Sequence, residues 1–210
     1  MSLFKSIFCT VTRGSASLFL LGLLCVNIAV LRVDAVVSSD DEGRQNARVQ
    51  ASYIAKLVKF TSWDENSTEG QRKFKIVVVG DENASLVQSL SFLVEQSNLS
   101  SDTHFVEVFH FPNSKSTEAI NFISQGVNFV YFTKKSILRV ADVTPYRNGA
   151  LLMSQGREFV ELERGCIAFE KTKNRIKLII NQKCFKRKFA NINPALISMK
   201  SVVEVVSPLL

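Results

Sequence analysis

The sequence has little of what catalysis usually requires. It contains two histidines, His104 and His110, and no G-x-S-x-G, C-x-x-C, G-x-G-x-x-G or P-loop motif. The histidines stand six residues apart on a predicted strand, so they point to the same face, but that spacing is not typical of metal ligands. No pair of carboxylates stands in a recognisable catalytic frame. We therefore predict that the chain is not an enzyme and uses neither a cofactor nor a metal.

Long apolar runs are absent except at the N-terminus. A largely apolar run over residues 18–31 follows the basic residues Lys5 and Arg13, and a small residue, Ala35, closes the segment. This pattern predicts a secretory signal peptide over residues 1–35 that is cleaved after Ala35. An uncleaved membrane anchor is the alternative, but polar residues leave the run short of the roughly 20 apolar residues that a span needs.

Cleavage would leave a short polar segment and one domain. Residues 36–46 are polar and are predicted to form a flexible N-terminal segment. The remaining length suits one buried core, which we place at residues 47–206.

Cysteine is scarce in the predicted mature chain. Cys9 and Cys25 belong to the signal peptide, so Cys166 and Cys184 remain. An even count in an oxidising compartment permits one disulfide, and the alternative is two separate small core residues. A hairpin that turns over residues 171–174 would leave Cys184 about one strand length from the position opposite Cys166. A disulfide needs Cα atoms within about 7 Å, so Cys166–Cys184 stays a possible pair that this geometry disfavours.

Basic residues outnumber acidic ones, 26 to 19, and give a net charge of +7. They are spread along the chain, and the densest group lies at residues 183–188. No helix-turn-helix, zinc finger or aromatic-basic repeat accompanies that group. We therefore predict no nucleic-acid partner and interpret the group as a solvated helix face.

Hydrophobic periodicity predicts a helix followed by alternating strands and helices. The first helix begins with a capping box at Ser39 and Glu42 and runs to Phe60. Its apolar residues fall on one stripe, and its polar face consists of Arg48, Ser52, Lys56 and Lys59. Strands are predicted at residues 74–79, 103–111 and 127–132, and helices after them at 84–95, 117–124 and 136–140. This alternation is typical of an α/β domain with a mainly parallel sheet.

The sequence of the C-terminal part predicts antiparallel rather than parallel strand pairing. A strand at residues 149–153 is followed by strands at 166–170 and 175–181, which flank a polar turn typical of a hairpin. Two closing helices are predicted at residues 182–190 and 194–206. The predicted fold is thus a single α/β domain with a mixed, mainly parallel sheet flanked by helices and an antiparallel C-terminal hairpin.

The segment VVVGDEN at residues 77–83 is the predicted exit from a strand at the C-terminal edge of the sheet. Ligands bind at that edge in many α/β domains. However, the segment contains one glycine, Gly80, rather than a phosphate-binding motif. We interpret it as a tight exit turn, with a ligand site as the alternative.

Several segments follow one another in a recognisable order. They are residues 53–63 (YIAKLVKFTSW), 74–80 (FKIVVVG), 148–150 (NGA), 175–181 (RIKLIIN), 182–190 and 194–206. Together they resemble the YfiR/HmsC-like family of periplasmic proteins, with Tyr53, Gly80, Gly149 and Asn181 at motif positions. The chain departs from the family pattern at Asp64, where a proline is usual, and it can form at most one of the two disulfides of better-known members.

The resemblance implies a non-enzymatic periplasmic regulator. Such proteins bind the external domain of an inner-membrane sensor, a diguanylate cyclase or kinase, and restrain cyclic-di-GMP synthesis, which affects biofilm and motility. A homodimer is a further partner to consider. The alternative function is a periplasmic small-molecule-binding component. A deep pocket at residues 80–83 would favour this alternative, and an exposed apolar patch on a helix face would favour the regulator.

Two aromatic residues are the predicted anchors for such a partner. Phe60 and Trp63 lie where the first helix ends and a polar loop begins, and aromatics in such places are enriched in binding hot spots. The alternative is that Trp63 folds back to close the core, as large aromatics usually do.

Overall fold

A seven-stranded sheet is the main element of the fold. The computed structural model describes residues 39–62, 72–81, 85–96, 104–146, 149–173, 175–186 and 190–208. The chain divides into two units, Met1–Asp41 and Glu42–Leu210, and the sheet belongs to the second. The predicted signal peptide, residues 1–35, lies outside the described residues.

The strands of the main sheet are β2 (Arg72–Val79), β3 (His104–Phe111), β4 (Phe129–Phe132), β5 (Leu151–Gln155), β6 (Ile167–Thr172), β7 (Arg175–Asn181) and β9 (Val203–Val206). Their order across the sheet is β3-β2-β4-β5-β6-β7-β9. β6 and β7 pair antiparallel, and the other neighbours in this sheet pair parallel. A separate two-stranded sheet pairs β1 (Thr61–Ser62) with β8 (Asn191–Ile192). The mixed, mainly parallel sheet with its antiparallel hairpin confirms the predicted fold class.

Helices lie between the strands along the chain. The α-helices are α1 (Ser39–Phe60), α2 (Ser85–Gln96), α3 (Ser116–Ser124), α4 (Val140–Val143), α5 (Glu158–Glu161) and α6 (Pro194–Ser198), and 3-10 turns span Asn113–Lys115 and Gln182–Lys186. α1 includes residues 39–46, the described part of the segment predicted to be flexible.

The two faces of the sheet are covered by different helices, which explains the continuous apolar runs of its central strands. On one face, Tyr131 of β4 hydrogen-bonds to Gln50 of α1. On the other face, the Phe122 ring of α3 packs against Phe109 and Phe111 of β3, with centroids 4.5 and 5.4 Å away. Because β4 is buried on both sides, all four of its residues are apolar or aromatic.

The predicted closing helices are wrong. The helix predicted at residues 194–206 ends at Ser198, and Val203–Val206 form β9, which pairs parallel with β7. Four valines at positions 202, 203, 205 and 206 favour a strand because β-branched side chains suit the pleated surface. In place of the helix predicted at residues 182–190, a 3-10 turn spans Gln182–Lys186, and residues 187–189 lie outside the described residues.

The hairpin register also differs from the prediction. Pairing continues to Thr172 opposite Arg175, so the turn has two residues instead of the four predicted. Lys173 in this turn has a φ of 31°, as the first central position of a tight hairpin requires. The shift places Asn181 beside Cys166, and the Asn181 backbone N–H donates to the Cys166 carbonyl at 2.9 Å.

Candidate functional site

The strand order creates a switch point between β2 and β4. The chain starts the sheet at β2, adds β3 on one side and then returns to add β4 on the other. In doubly wound sheets, ligands bind in the crevice outside the carboxyl ends of the strands at this point. Here Gly80 and Asp81 follow β2, and Thr133 follows β4.

This crevice is closed by hydrogen bonds between its own loops. The Asp81 carboxylate accepts from the backbone N–H and the side-chain amide of Asn113, both at 3.0 Å. The same Asn113 amide group donates to the Lys135 carbonyl at 2.8 Å, and its oxygen accepts from the Ile137 backbone N–H at 3.0 Å. Thr133 Oγ1 donates to the Asp81 carbonyl at 3.1 Å. The polar groups of the crevice therefore bind one another.

Gly80 permits this close packing of the loops. Its φ is 100°, a conformation that favours glycine, and its N–H donates to the Phe111 carbonyl at 2.9 Å. A Cβ at this position would overlap Thr133 Oγ1 and the Ser136 backbone. Gly80 therefore forms the tight exit turn predicted from the sequence. The loop with Thr133 and Ser136 occupies the space through which a ligand would approach Gly80.

His110 also belongs to this edge of the sheet. Its Nε2 lies 3.0 Å from the Gly80 carbonyl oxygen, as in a hydrogen bond donated by the ring. The side chain of His104 lies outside the described residues. Among the residues that the structure describes, no group of three or more histidine, cysteine or acidic side chains could hold a metal ion.

A buried polar network joins α1 to the neighbouring part of this edge. Tyr131 Oη donates to Gln50 Oε1 at 2.8 Å, and Gln155 Nε2 donates to the same oxygen at 3.1 Å. Gln50 is 5% exposed, so these bonds satisfy a side-chain oxygen removed from water. A polar cavity of about 190 Å³ adjoins the closed crevice, because its lining includes Thr133 and Ser136 as well as Gln155. The network fixes α1 on the sheet, and sequence periodicity did not identify Gln50 as part of it.

Of the two aromatics predicted to bind a partner, the structure describes only Phe60. Phe60 is partly buried and packs against the core, and its carbonyl accepts from the Asn193 N–H at 2.8 Å. Trp63 lies outside the described residues. The structure therefore shows how the end of α1 is attached, and the binding roles of both residues stay predictions.

The motif residues Tyr53 and Asn181 have structural partners. Tyr53 Oη donates to the Ile176 carbonyl at 3.2 Å, which joins α1 to β7. The buried Asn181 side chain donates to the Gly165 carbonyl at 3.2 Å and accepts from the Lys183 N–H at 3.0 Å. Gly149 has a φ of 86° just before β5, in a turn that favours glycine.

Cys166 and Cys184 form a disulfide in the structure. Their Cα atoms are 5.5 Å apart, within the range that a bridge allows. The sequence-based geometry disfavoured the pair because it placed the hairpin turn over four residues. With the observed register, the chain folds back through the 3-10 turn after Asn181 and brings Cys184 to Cys166.

An ion cluster lies on the face of the sheet opposite α1. The Arg157 guanidinium pairs with Glu170 at 3.0 Å, with Glu204 at 2.9 Å and with Glu161 at 3.2 Å. Lys177 donates to Glu204 at 2.6 Å. Hydrogen bonds from Arg157 and then Lys177 lower the pKa of Glu204 to about 2, and those from Glu204 and Glu170 raise the pKa of Arg157. The cluster connects β6, β7, β9 and α5.

A groove of about 690 Å³ lies between α1 and α2. Residues spaced by three and four along each helix form its walls, as helix geometry requires for one face. Those residues are Arg44, Arg48 and Ser52 from α1, and Ser85, Gln88, Ser89, Phe92 and Leu93 from α2. Sequence periodicity placed Arg48 and Ser52 on the polar face of α1, but it could not show that α2 lies alongside.

The groove is basic and partly apolar. Arg44 and Arg48 are exposed, and within the described part of the chain neither forms an ion pair. Phe92 is 59% exposed, which is unusual for an aromatic side chain in the middle of a helix. The groove thus offers positive charge that no described residue neutralises, beside an exposed ring.

Comparison with known proteins identifies the family. The model of the YfiR/HmsC-like family matches residues 47–200, which is well over half of the chain. The chain belongs to the YfiR/HmsC-like family. No curated protein matches it closely enough to count as a relative. The matched range runs from α1 to the turn before β9.

YfiR/HmsC-like proteins are periplasmic and regulatory, and they are associated with diguanylate cyclase signalling. The sequence resemblance therefore identified the correct family. Among the helices of the described residues, none has the length and hydrophobicity that a membrane span requires. For this member of the YfiR/HmsC-like family, the structure adds a closed switch-point crevice and an open basic groove.

Proposed function

We propose that the protein is a non-enzymatic periplasmic regulator that binds the external domain of an inner-membrane sensor, a diguanylate cyclase or kinase, and modulates its output. In this proposal the chain is exported and its signal peptide is removed near Ala35. The observation that carries the proposal is the closure of the switch-point crevice in a member of a regulatory family.

The closed crevice favours protein binding over small-molecule binding. A ligand at the switch point would have to displace the bonds that Asn113 makes to Asp81 and Lys135, and the packed loops leave little room beside Gly80. Small-molecule sites are usually preformed clefts of roughly 300–1,000 Å³, and the cavity that adjoins the crevice has about 190 Å³. The exposed Phe92 on α2 is instead the kind of apolar helix surface that we expected of a protein-binding regulator.

The mechanism would be a shift of the sensor's conformational equilibrium. A bound regulator changes that equilibrium only by the difference between its affinities for the two sensor states. If the regulator binds the inactive state about a hundredfold more tightly, the balance of active to inactive sensor can shift by up to the same factor. No chemical step on the regulator is needed.

The test is binding between purified partners combined with a measurement of output. The probe is the external domain of an inner-membrane diguanylate cyclase or kinase encoded beside the gene of this protein, called the neighbouring sensor. The mature protein and this domain should form a complex with a Kd near or below about 10 μM by isothermal titration calorimetry. Deleting the gene should change cyclic-di-GMP, or the phosphorylation of the kinase's target, in cells that carry the sensor and not in cells that lack it.

The external domain of an unrelated inner-membrane sensor serves as the control and should not bind. Absence of binding to the neighbouring sensor, together with unchanged output after gene deletion, would contradict the proposal. The small-molecule-binding function would then become the better explanation.

A further inference from the structure

We infer that the groove between α1 and α2 is the docking site for a short acidic, amphipathic segment of the protein partner. This inference rests on the proposed function and specifies the surface that performs it. Its occupant would place apolar side chains on Phe92 and carboxylates on Arg44 and Arg48.

The charge of the groove wall selects the sign of the partner. The first turn of α1 holds Asp40, Asp41 and Glu42, and Glu42 pairs with Lys171. From Gly43 to Phe60 the helix carries Arg44, Arg48, Lys56 and Lys59 and no acidic residue, and the two arginines line the groove. All four side chains are exposed. Within the described residues, the groove wall from α2 adds no charge of either sign. Complementary potentials guide association and fix the register of partners, so an acidic segment fits this surface best.

The exposed ring supplies the apolar part of the site. Phe92 is followed in α2 by Leu93, which is partly buried and packs against the core, so the helix that carries the ring is fixed at the groove. Aromatic residues and arginines are the residue types enriched in binding hot spots. The groove has both types within one concave surface, as the helix-in-groove mode of peptide recognition requires.

The dimensions fit a short segment. From Arg44 to Ser52 the α1 wall spans about 12 Å at the rise of an α-helix, or about two turns. A partner helix of two to three turns would present side chains at positions i, i+4 and i+7 along this length.

The structure disfavours a bilayer and a second copy as occupants. Insertion of α1 into a membrane would need its apolar face, but Ala51, Ile54 and Leu57 are buried against the core. A second copy would bring the same basic groove to the contact, and like charges across an interface are unfavourable. An acidic protein segment meets neither obstacle.

The test compares groove variants with matched controls in binding to the external domain of the neighbouring sensor. Phe92→Ala should weaken binding about tenfold or more, as loss of a hot-spot aromatic does. Arg44→Glu combined with Arg48→Glu should weaken binding further and reduce its dependence on salt. Melting temperatures should change little, because these side chains are exposed.

The control variants make the same kinds of substitution at exposed positions outside the groove. Phe105→Ala removes another exposed ring, 48% accessible on β3. Arg175→Glu with Lys200→Glu makes the same change in net charge at exposed positions away from the groove. Both controls should bind within about twofold of the unmodified protein, as substitutions outside an interface do.

The outcomes separate this inference from the proposed function. If the unmodified protein binds the sensor domain and the groove variants bind as the controls do, the groove is not the docking site, although the regulator function stands. If the unmodified protein does not bind the sensor domain at all, the proposed function itself fails. Groove-dependent binding to phosphatidylglycerol–phosphatidylethanolamine vesicles, without binding to the sensor domain, would overturn the inference in favour of a membrane surface.

Discussion

The switch-point crevice and the α1–α2 groove are both polar, but they differ in whether their polar groups already have partners. In the crevice, Asp81 and Asn113 bind each other and the neighbouring loop. In the groove, Arg44 and Arg48 form no ion pair with any described residue. The difference shows that the position where many α/β folds bind ligands can instead join neighbouring loops, and it is the reason we place partner binding on a helix surface.

The first prediction concerns a substitution that disrupts the packing of loops in the closed crevice. Gly80→Ala should destabilise the protein by about 3 kcal/mol or more, because its Cβ would overlap the Ser136 backbone and its φ of 100° is strained for alanine. Urea unfolding measures this loss. The matched control is Gly126→Ala, where φ is 96° and, apart from the adjacent residues of the chain, no described atom lies within 4 Å of the added Cβ.

Only backbone strain acts at Gly126, so its cost should be about 1 kcal/mol. Equal losses at Gly80 and Gly126 would show that loop packing in the crevice contributes nothing beyond backbone conformation.

The second prediction compares a paired arginine with an unpaired one. Arg157→Ala should cost about 2 kcal/mol, because it leaves Glu170 without a counter-charge among the described residues and leaves Glu204 with Lys177 alone. Arg48→Ala should change the free energy of unfolding by less than about 0.5 kcal/mol, since exposed side chains without partners contribute little.

Chemical denaturation of the two variants under the same conditions provides the measurement. A loss at Arg48 as large as that at Arg157 would mean that the groove arginine has a structural role, and the contrast between the two surfaces would fail.

The third prediction concerns pH and has the smallest effect. Arg157 and Lys177 hold the pKa of Glu204 at about 2, against an ordinary value of 4.5, so protonation favours the unfolded chain. The stabilising contribution of Glu204 is therefore complete above pH 4.5 and is lost as the pH falls towards 2. After allowance for solvent screening, we expect about 1 kcal/mol.

Unfolding measured at several pH values, for the unmodified protein and for Glu204→Gln, tests this prediction. The stability difference between the two should shrink below pH 4.5. Glu95→Gln serves as the control, because Glu95 is exposed and forms no ion pair with the described residues. A difference that stays constant with pH would contradict the assigned cluster.

Sequence reasoning worked where the signal is local and failed where pairing is distant. The apolar runs of β2 and β4 and the helical stripe of α1 predicted their own elements, because burial of these segments requires those periodicities. At residues 194–206, Leu196, Met199, Val203 and Val206 also fit a helical stripe, and the strand forms because β7 offers an edge for Val203–Val206. The residues around position 200 alone do not show that β7 has a free edge, because β7 lies more than twenty residues before β9 in the chain.

The candidate site shows the same division. The tight turn at Gly80 could be predicted because a single glycine after a buried strand has a local meaning. The roles of Asn113 and Gln50 could not, since their partners are 22 to 32 and 81 to 105 residues away in the chain. The disulfide was possible from the cysteine count, but a two-residue shift of the hairpin decided whether Cys184 could reach Cys166.

The sequence by itself determined the α/β class, the family and the basic polar face of α1, because periodicity, motif order and charge are properties of consecutive residues. Only the tertiary structure decided that the switch-point crevice is closed and that α2 lies beside α1 to make a groove. Both depend on which segments pack together, and the burial and pairing energies that choose those neighbours act between residues far apart in the chain.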